Sequence, residues 1–294
     1  MDEQHDMSSI IGRKIFFITP TPTIKNYVVS SLRDDELEVY TIDNYKMIKN
    51  ILAKNPNSLC FFNLDSGLSL MGWFIMLEDL ANDDSLGNTV IGLISDRLGD
   101  SEKAYIQQRV KIEGGIHKLG SSPLKLLEAI REVVVSQKAK GRRQYVRANC
   151  LNENQHELMW SQDNTAIKMK LVDISTSGVA VKVQQKFLPY IRENTKIHGA
   201  TLKLGTRQFL IDFIIYGIHQ RGPNTLMITL FHAETVKALH SDLQAYIYEI
   251  LHKHMMEEME LLAMDEKEYN KLGAKIKIPK INADSKGDKT AGKK

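Results

Sequence analysis

The chain has 294 residues, 43% of them hydrophobic and 26% charged, and its 39 Lys and Arg against 36 Asp and Glu leave a formal charge of +3. These values fit a folded protein of about two domains and exclude a disordered, collagen-like or broadly basic chain, so any anion site must come from a local cluster. Cys60 and Cys150 show no CxxC or His/Cys spacing and read as reduced thiols of a cytoplasmic protein. The acidic, polar start MDEQHDMSSIIGRK and the lack of any run of eighteen apolar residues predict neither a signal peptide nor a membrane span.

Taken in order, KIFFIT from Lys14 is a short apolar run closed by Pro20 and Pro22, the pattern of a strand buried on both faces. Ile24, Tyr27, Val28 and Leu32 follow at the spacing of one helix face. The alternation repeats, with LEVYTI, LCFFNL, TVIGLI and GGIHKL as strands and MIKNILAK, GWFIMLEDLAN, SEKAYIQQRV and PLKLLEAIREVVVSQKAK as helices. Five strands alternating with five helices predict an α/β doubly wound parallel sheet, because parallel neighbours need a crossover. Ligands of such sheets bind beyond the carboxyl ends of the strands, where Thr19, Asp65, Ser95 and Lys118 stand.

Between about Lys14 and Ser136 the chain resembles the receiver domain of response regulators. That family places a phosphoacceptor aspartate after its third strand, a Ser or Thr after its fourth and a lysine after its fifth. Asp65, Ser95 and Lys118 match in type and place and form a candidate vestigial phosphoacceptor site. The acidic pair that holds magnesium after the first strand is replaced by ITPTPT, and Lys118 is followed by Leu119 where the family has proline. Without those carboxylates a hard cation loses most of its oxygen ligands. The resemblance is to a degenerate receiver, whose expected work is docking or transmission.

After Lys140 the texture changes. AKGRR reads as a basic hinge, and the segments beyond it alternate apolar and polar residues as antiparallel strands do. HELMWSQ, IKMKLVDI, GVAVKVQ, KIHGATLKL, RQFLIDFIIYGI and NTLMITLF predict a six-stranded antiparallel β-barrel. A C-terminal helix starts near Ala233, with Leu239, Leu243, Tyr246, Ile247, Ile250 and Leu251 on one stripe that continues weakly through Met255, Met259 and Leu262. The predicted division is 1–137 receiver-like, 138–142 hinge, 143–264 barrel with helix, and 265–294 a disordered tail with nine lysines and five acidic residues.

The stretch RRQYVRAN puts Arg142, Arg143 and Arg147 within six positions, and LVDISTSGVAVKV follows some thirty residues later. Together they resemble the PilZ domain, recognised by RxxxR, here Arg143 and Arg147, and by [D/N]xSxxG, here Asp173, Ser175 and Gly178. The resemblance covers about Gly141 to Leu262. It implies a receptor for cyclic di-GMP, a ring of two phosphodiesters and two guanines. Guanidinium suits that ligand, since it forks onto phosphate, donates in pairs to guanine O6 and N7, and stacks on a base. The arginines of the motif are expected on phosphate and guanine, with Arg142 adding charge. Asp173 is expected to accept from guanine N1 and N2, Ser175 to donate to the ligand, and Gly178 to permit a tight turn and close approach of a base. A plain turn held by Asp and Ser side chains is the alternative reading of DISTSG.

Trp73 and Trp160 are expected in the cores, and His240, His252 and His254 on the surface. No Ser-His-Asp set, Walker-type loop or zinc spacing is present, so neither an enzyme nor a metal nor a cofactor is expected. The expectation is a cyclic di-GMP effector that signals through interdomain rearrangement to a protein partner, in motility, attachment or virulence as the resemblance implies, without nucleic acid. The alternative is a phospho-regulated response regulator using Asp65, with the barrel as a docking module.

Overall fold

The computed structural model describes residues 12–120 and 122–257. The predicted tail 265–294 and the continuation of the helix stripe to Met259 and Leu262 lie outside the described residues. Packing divides the described chain into two units: residues 13–32 with 39–140, and residues 33–38 with 141–257. The division between Lys140 and Gly141 falls within the expected hinge 138–142. Lys138 and Ala139 are nevertheless tied to the helix before them. Lys138 takes the left-handed conformation (φ 49°) and the Ala139 N–H donates to the Val134 carbonyl at 2.9 Å, which closes the helix end.

In the first unit the predicted alternation is realised. Strands β1 (Ile15–Ile18), β2 (Val39–Ile42), β3 (Leu59–Asn63), β4 (Val90–Ile94) and β5 (Ile116–His117) form one parallel sheet in the order 2-1-3-4-5. Every residue of β1, β3 and β4 is buried, which is why these strands read as unbroken apolar runs. Helices α1 (Ser30–Asp34), α2 (Ile48–Lys54), α3 (Leu70–Ala81) and α4 (Asp100–Gln107) are the crossovers, and α5 (Pro123–Ser136) follows the last strand. One expectation fails locally. Tyr27 is 40% exposed, because Ile24–Val29 is a π-helical stretch whose wider turn buries Val28 and Val29 in sequence and rotates Tyr27 outward. Trp73 is fully buried and its indole N–H donates to the Ser66 carbonyl at 2.9 Å.

The second unit is a closed antiparallel barrel. Its strands are β7 (His156–Gln162), β8 (Thr165–Ser175), β9 (Gly178–Val183), β10 (Lys196–Leu204), β11 (Arg207–Arg221) and β12 (Asn224–Phe231), and the pairing of β8 with β9 completes the ring. A two-residue strand that the sequence reading lacked, β6 (Ala148–Asn149), adds to the outer edge of β8. Helix α6 (Ala233–Glu257) seals the barrel with Leu243, Tyr246, Ile247 and Ile250, while the Tyr246 hydroxyl bonds buried His156 Nε2. Trp160 packs edge-on against Phe213 in the core, with centroids 5.6 Å apart.

Closure of the ring depends on a glycine. A Cβ built on Gly178 would lie 2.0 Å from the Thr229 carbonyl oxygen, a backbone atom of β12 that cannot step aside. Replacing Gly178 with alanine is therefore expected to destabilise the barrel by about 3 kcal/mol or more, at the upper end of overpacking costs. Denaturation of a Trp73→Phe background, in which Trp160 alone reports, checks this, and an unshifted midpoint contradicts it.

Candidate functional site

The arginine segment runs into the barrel at β6. Residues 141–147 have no regular structure, so the strand geometry that would place Arg143 and Arg147 on one face does not apply. Val146 packs against the barrel core, Ala148 is fully buried, and β6 pairs Ala148 with Ile174 and Asn149 with Asp173. Arg142 and Arg143 are exposed. Arg147, immediately before β6, places its guanidinium 3.6 Å from the Asp173 carboxylate.

Asp173 reaches that position because β8 contains an irregularity. Its register against β9 jumps between Leu171 and Asp173, so one residue, Val172, is extra. Ile167, Met169 and Leu171 point inward, and an unbroken alternation would send Asp173 inward next. The bulge resets the phase, burying Ile174 completely and turning Asp173 outward, with 31% of its side chain exposed.

The rest of the motif builds the turn between β8 and β9. Ser175 is buried, and its hydroxyl bonds to the Gly178 carbonyl at 3.2 Å and to the Ser177 hydroxyl at 3.1 Å. Gly178 has its Cβ space taken by Thr229, as described above. The site thus sorts into two roles. Arg142, Arg143, Arg147 and Asp173 present charge to solvent, whereas Ser175 and Gly178 hold the backbone that carries Asp173.

Glu36, which packs with this unit, was missed by the sequence reading. Its carboxylate accepts from the Val146 N–H at 2.9 Å and from the Thr176 hydroxyl at 2.8 Å, with His240 Nε2 at 3.8 Å. A carboxylate therefore bridges the arginine segment and the DISTSG turn. No local signal announced it, since the partners lie more than a hundred residues away.

In the first unit Thr19, Asp65, Ser95 and Lys118 all follow carboxyl ends of parallel strands, as expected. Asp65 is fully engaged. Its Oδ1 accepts from the Ser95 hydroxyl at 2.6 Å and from Arg97 Nε at 3.0 Å, and its Oδ2 accepts from the Asp96 N–H at 2.9 Å. Arg97 also donates to the Leu64 carbonyl at 2.7 Å. The cation on Asp65 is thus Arg97, a residue not considered from sequence although it stands two positions after Ser95. Where receivers carry acids after β1, Thr19 adopts a left-handed φ of 48°, rare for a β-branched residue. Asn63 Nδ2 and the Ser66 hydroxyl donate to the Thr19 carbonyl at 2.7 and 3.0 Å, so a neutral network fills the position.

Burial works to raise the pKa of Asp65, but the Asp96 N–H, the Ser95 hydroxyl and the Arg97 guanidinium outweigh it and hold the carboxyl below the ordinary carboxylate range. The cysteines are free and buried, and burial raises both thiols, Cys150 to about 12 with Asp173 and Glu153 adding to the effect. Neither is a ready thiolate. His254 meets one carboxylate, Glu153, at 2.9 Å, and Lys253 occupies the same carboxylate at 2.8 Å. No helix of the described chain is long and apolar enough to cross a membrane.

No protein-family model matches the chain, and no curated protein matches it. Among solved structures, it is similar to the PilZ domain of YcgR from Escherichia coli, at 16% identity and a TM-score of 0.34, over 40% of this chain and 96% of that one. It is similar to the cyclic di-GMP complex of MrkH from K. pneumonia at 19% identity and a TM-score of 0.33, spanning 55% of that chain. It is also similar to a response regulator from Desulfuromonas acetoxidans at 15% identity and a TM-score of 0.34, over 42% of this chain and 98% of that one.

The Asp65 network makes two expectations measurable. Asp65→Asn should destabilise the first unit by about 1–2 kcal/mol at neutral pH, the scale of a few partly exposed charge-assisted bonds. Because the folded pKa is depressed, the lost stabilisation exists above the unfolded value of about 3.9 and fades as pH falls through the folded value. Wild type and variant should converge in acid, and a gap that stays constant from neutral pH to below pH 3 contradicts this. A small phosphodonor with magnesium should leave Asp65 unlabelled, since Arg97 holds the carboxylate, and labelling abolished in Asp65→Asn would overturn that view.

Proposed function

We propose that the barrel unit is a receptor for cyclic di-GMP and that the chain is a non-enzymatic effector of this second messenger. The observation that carries the reading is the Arg147–Asp173 approach of 3.6 Å across the β6–β8 pair, with Arg143 exposed at the start of the same irregular segment. In support, Arg147 meets the Asp173 carboxylate beside the β6–β8 pair, and Arg143 lies four residues earlier in the same segment. The arginines serve the phosphodiesters and the O6 and N7 acceptors of guanine. Asp173 offers the complementary acceptor for guanine N1 and N2 donors, and its existing pairing with Arg147 keeps both groups oriented before the ligand arrives. Arg142 adds charge at the entrance. Ser175 and Gly178 support the turn.

Because the segment has few bonds before β6, it can close over a ligand at modest cost, and it begins at the boundary between the two units. Ordering of 141–147 by the nucleotide therefore acts on the connection itself. The output is a changed presentation of the receiver-like unit to a protein partner, in the processes of motility, attachment or virulence that the family resemblance implies. A phosphoryl input at Asp65 is not favoured, given the guanidinium already on that carboxylate.

Calorimetric titration of cyclic di-GMP into the full chain tests the reading. Arg143→Ala and Arg147→Ala are each expected to weaken binding by about 5- to 150-fold, the equivalent of one lost bidentate contact of about 1–3 kcal/mol. Affinity should also fall as salt rises. Absence of binding to wild-type protein, or wild-type affinity retained in both variants, would refute the assignment.

A further inference from the structure

A second cluster of chemistry-bearing side chains lies on the barrel, built by other strands and named by no motif. His198 stands on β10, Asp212 on β11, and His232 between the end of β12 and the start of α6. One ligating atom from each of the three lies within 4.8 Å of the other two. His198 Nδ1 is 2.8 Å from Asp212 Oδ2, and the two imidazole rings stand nearly perpendicular (84°) with centroids 5.4 Å apart.

The backbone is shaped to make this convergence. Between β10 and β11 the register jumps from Ile197 opposite Phe213 to Ala200 opposite Ile211, so His198 and Gly199 together face Asp212. Such a bulge re-aims the side chain it carries. Gly199 accepts the left-handed φ of 66° that the bulge needs, and its N–H donates to Asp212 Oδ1 at 2.8 Å, leaving Oδ2 for His198. The backbone of Asp212 is fixed from the other side. Its carbonyl accepts from the His232 N–H at 2.9 Å, and its N–H donates to the Thr235 hydroxyl at 3.1 Å. Asp212 is thus oriented by Gly199 and Thr235, neighbours that do not themselves ligate, an arrangement that helps to hold a metal ligand in place.

We propose that His198, Asp212 and His232 form a binding site for a divalent transition-metal cation of the zinc class. Two imidazole nitrogens and one carboxylate oxygen suit a borderline-soft ion, whereas calcium and magnesium require oxygen donors throughout. Zinc bonds of about 2.0 Å put tetrahedral ligands about 3.3 Å apart, so the His198–Asp212 pair opens by about half an ångström to admit the ion. With 66% of the His198 side chain and 37% of the Asp212 side chain exposed, a fourth position remains open to water or to a donor from another molecule. The bound ion would clip β10, β11 and the chain entering α6 together, since each supplies one ligand.

The test is titration of zinc chloride into chelator-stripped full-length protein, followed by calorimetry and thermal melting, with cobalt chloride and its visible absorption as the probe of coordination. We expect one zinc per chain, a higher melting temperature with zinc, and affinity reduced at least about tenfold in His198→Gln and in His232→Gln. His254→Gln, at a histidine outside the cluster, should bind as wild type does. Absence of binding to the wild-type protein overturns the proposal. So does binding that survives both cluster substitutions or that His254→Gln removes, because the ion is then held by other histidines. Both substituted side chains are at least partly exposed, and circular dichroism of the variants separates a lost ligand from a lost fold.

Discussion

A single extra residue in β8 sets the chemistry of the barrel. Up to Leu171 the strand alternates inward and outward residues and contributes Ile167, Met169 and Leu171 to the core. Val172 then adds one position against β9, so Ile174 takes the next inward place and Asp173 turns to the surface. Were the alternation unbroken, the carboxylate would face an apolar interior, where an ionised group is costly and unpaired. Beyond Lys170, where its pairing with β7 ends, the other edge of β8 pairs with β6, which brings Arg147 to the outward-turned Asp173.

The two strand-end sites of the molecule show how the same residue types acquire different uses. In the parallel sheet, Asp65 sits where an acceptor carboxylate belongs, yet Ser95, Asp96 and Arg97 consume its oxygens. Its charge is satisfied internally, and the network holds the loops after β3 and β4 together. In the barrel, Asp173 has a guanidinium nearby at the longer distance of 3.6 Å, and both partners remain partly exposed. A tightly bonded, shielded ion pair contributes to structure. A loose and exposed one is exchangeable, because ligand groups can replace each partner without stranding a buried charge. The second arrangement fits the receptor role proposed for the barrel.

Local backbone devices recur wherever the structure aims a functional group. The bulge at Val172 turns out Asp173, and the bulge at His198 and Gly199 helps to gather three potential ligands, His198, Asp212 and His232. Gly178 serves closure instead, since the Thr229 carbonyl occupies the place of its side chain. A glycine that the motif suggests is spared for a ligand is accounted for by the meeting of two strands. The chemistry of the turn and the packing of the barrel are here the same constraint.

Much of the architecture was legible in the sequence because it follows from periodicity. Unbroken apolar runs such as IFFI and VIGLI could satisfy only strands covered on both faces, and alternating segments such as HELMWSQ only strands with one wet face. The sequence also singled out Arg147 and Asp173, which the fold brings to within 3.6 Å of each other. The sequence could not reveal the interruptions of period: the π-helical turn that exposes Tyr27, the phase reset at Val172 and the short strand at Ala148. These arise when hydrogen bonding to a distant partner outweighs local preference. Nor could it bring Arg97 to Asp65, Glu36 to Val146 and Thr176, or His198, Asp212 and His232 to one point, because those meetings join positions whose separation in the chain carries no pattern. Side-chain periodicity is a property of one segment, whereas coordination and charge pairing belong to the packing of several, so the strands were determined locally and the sites only by tertiary structure.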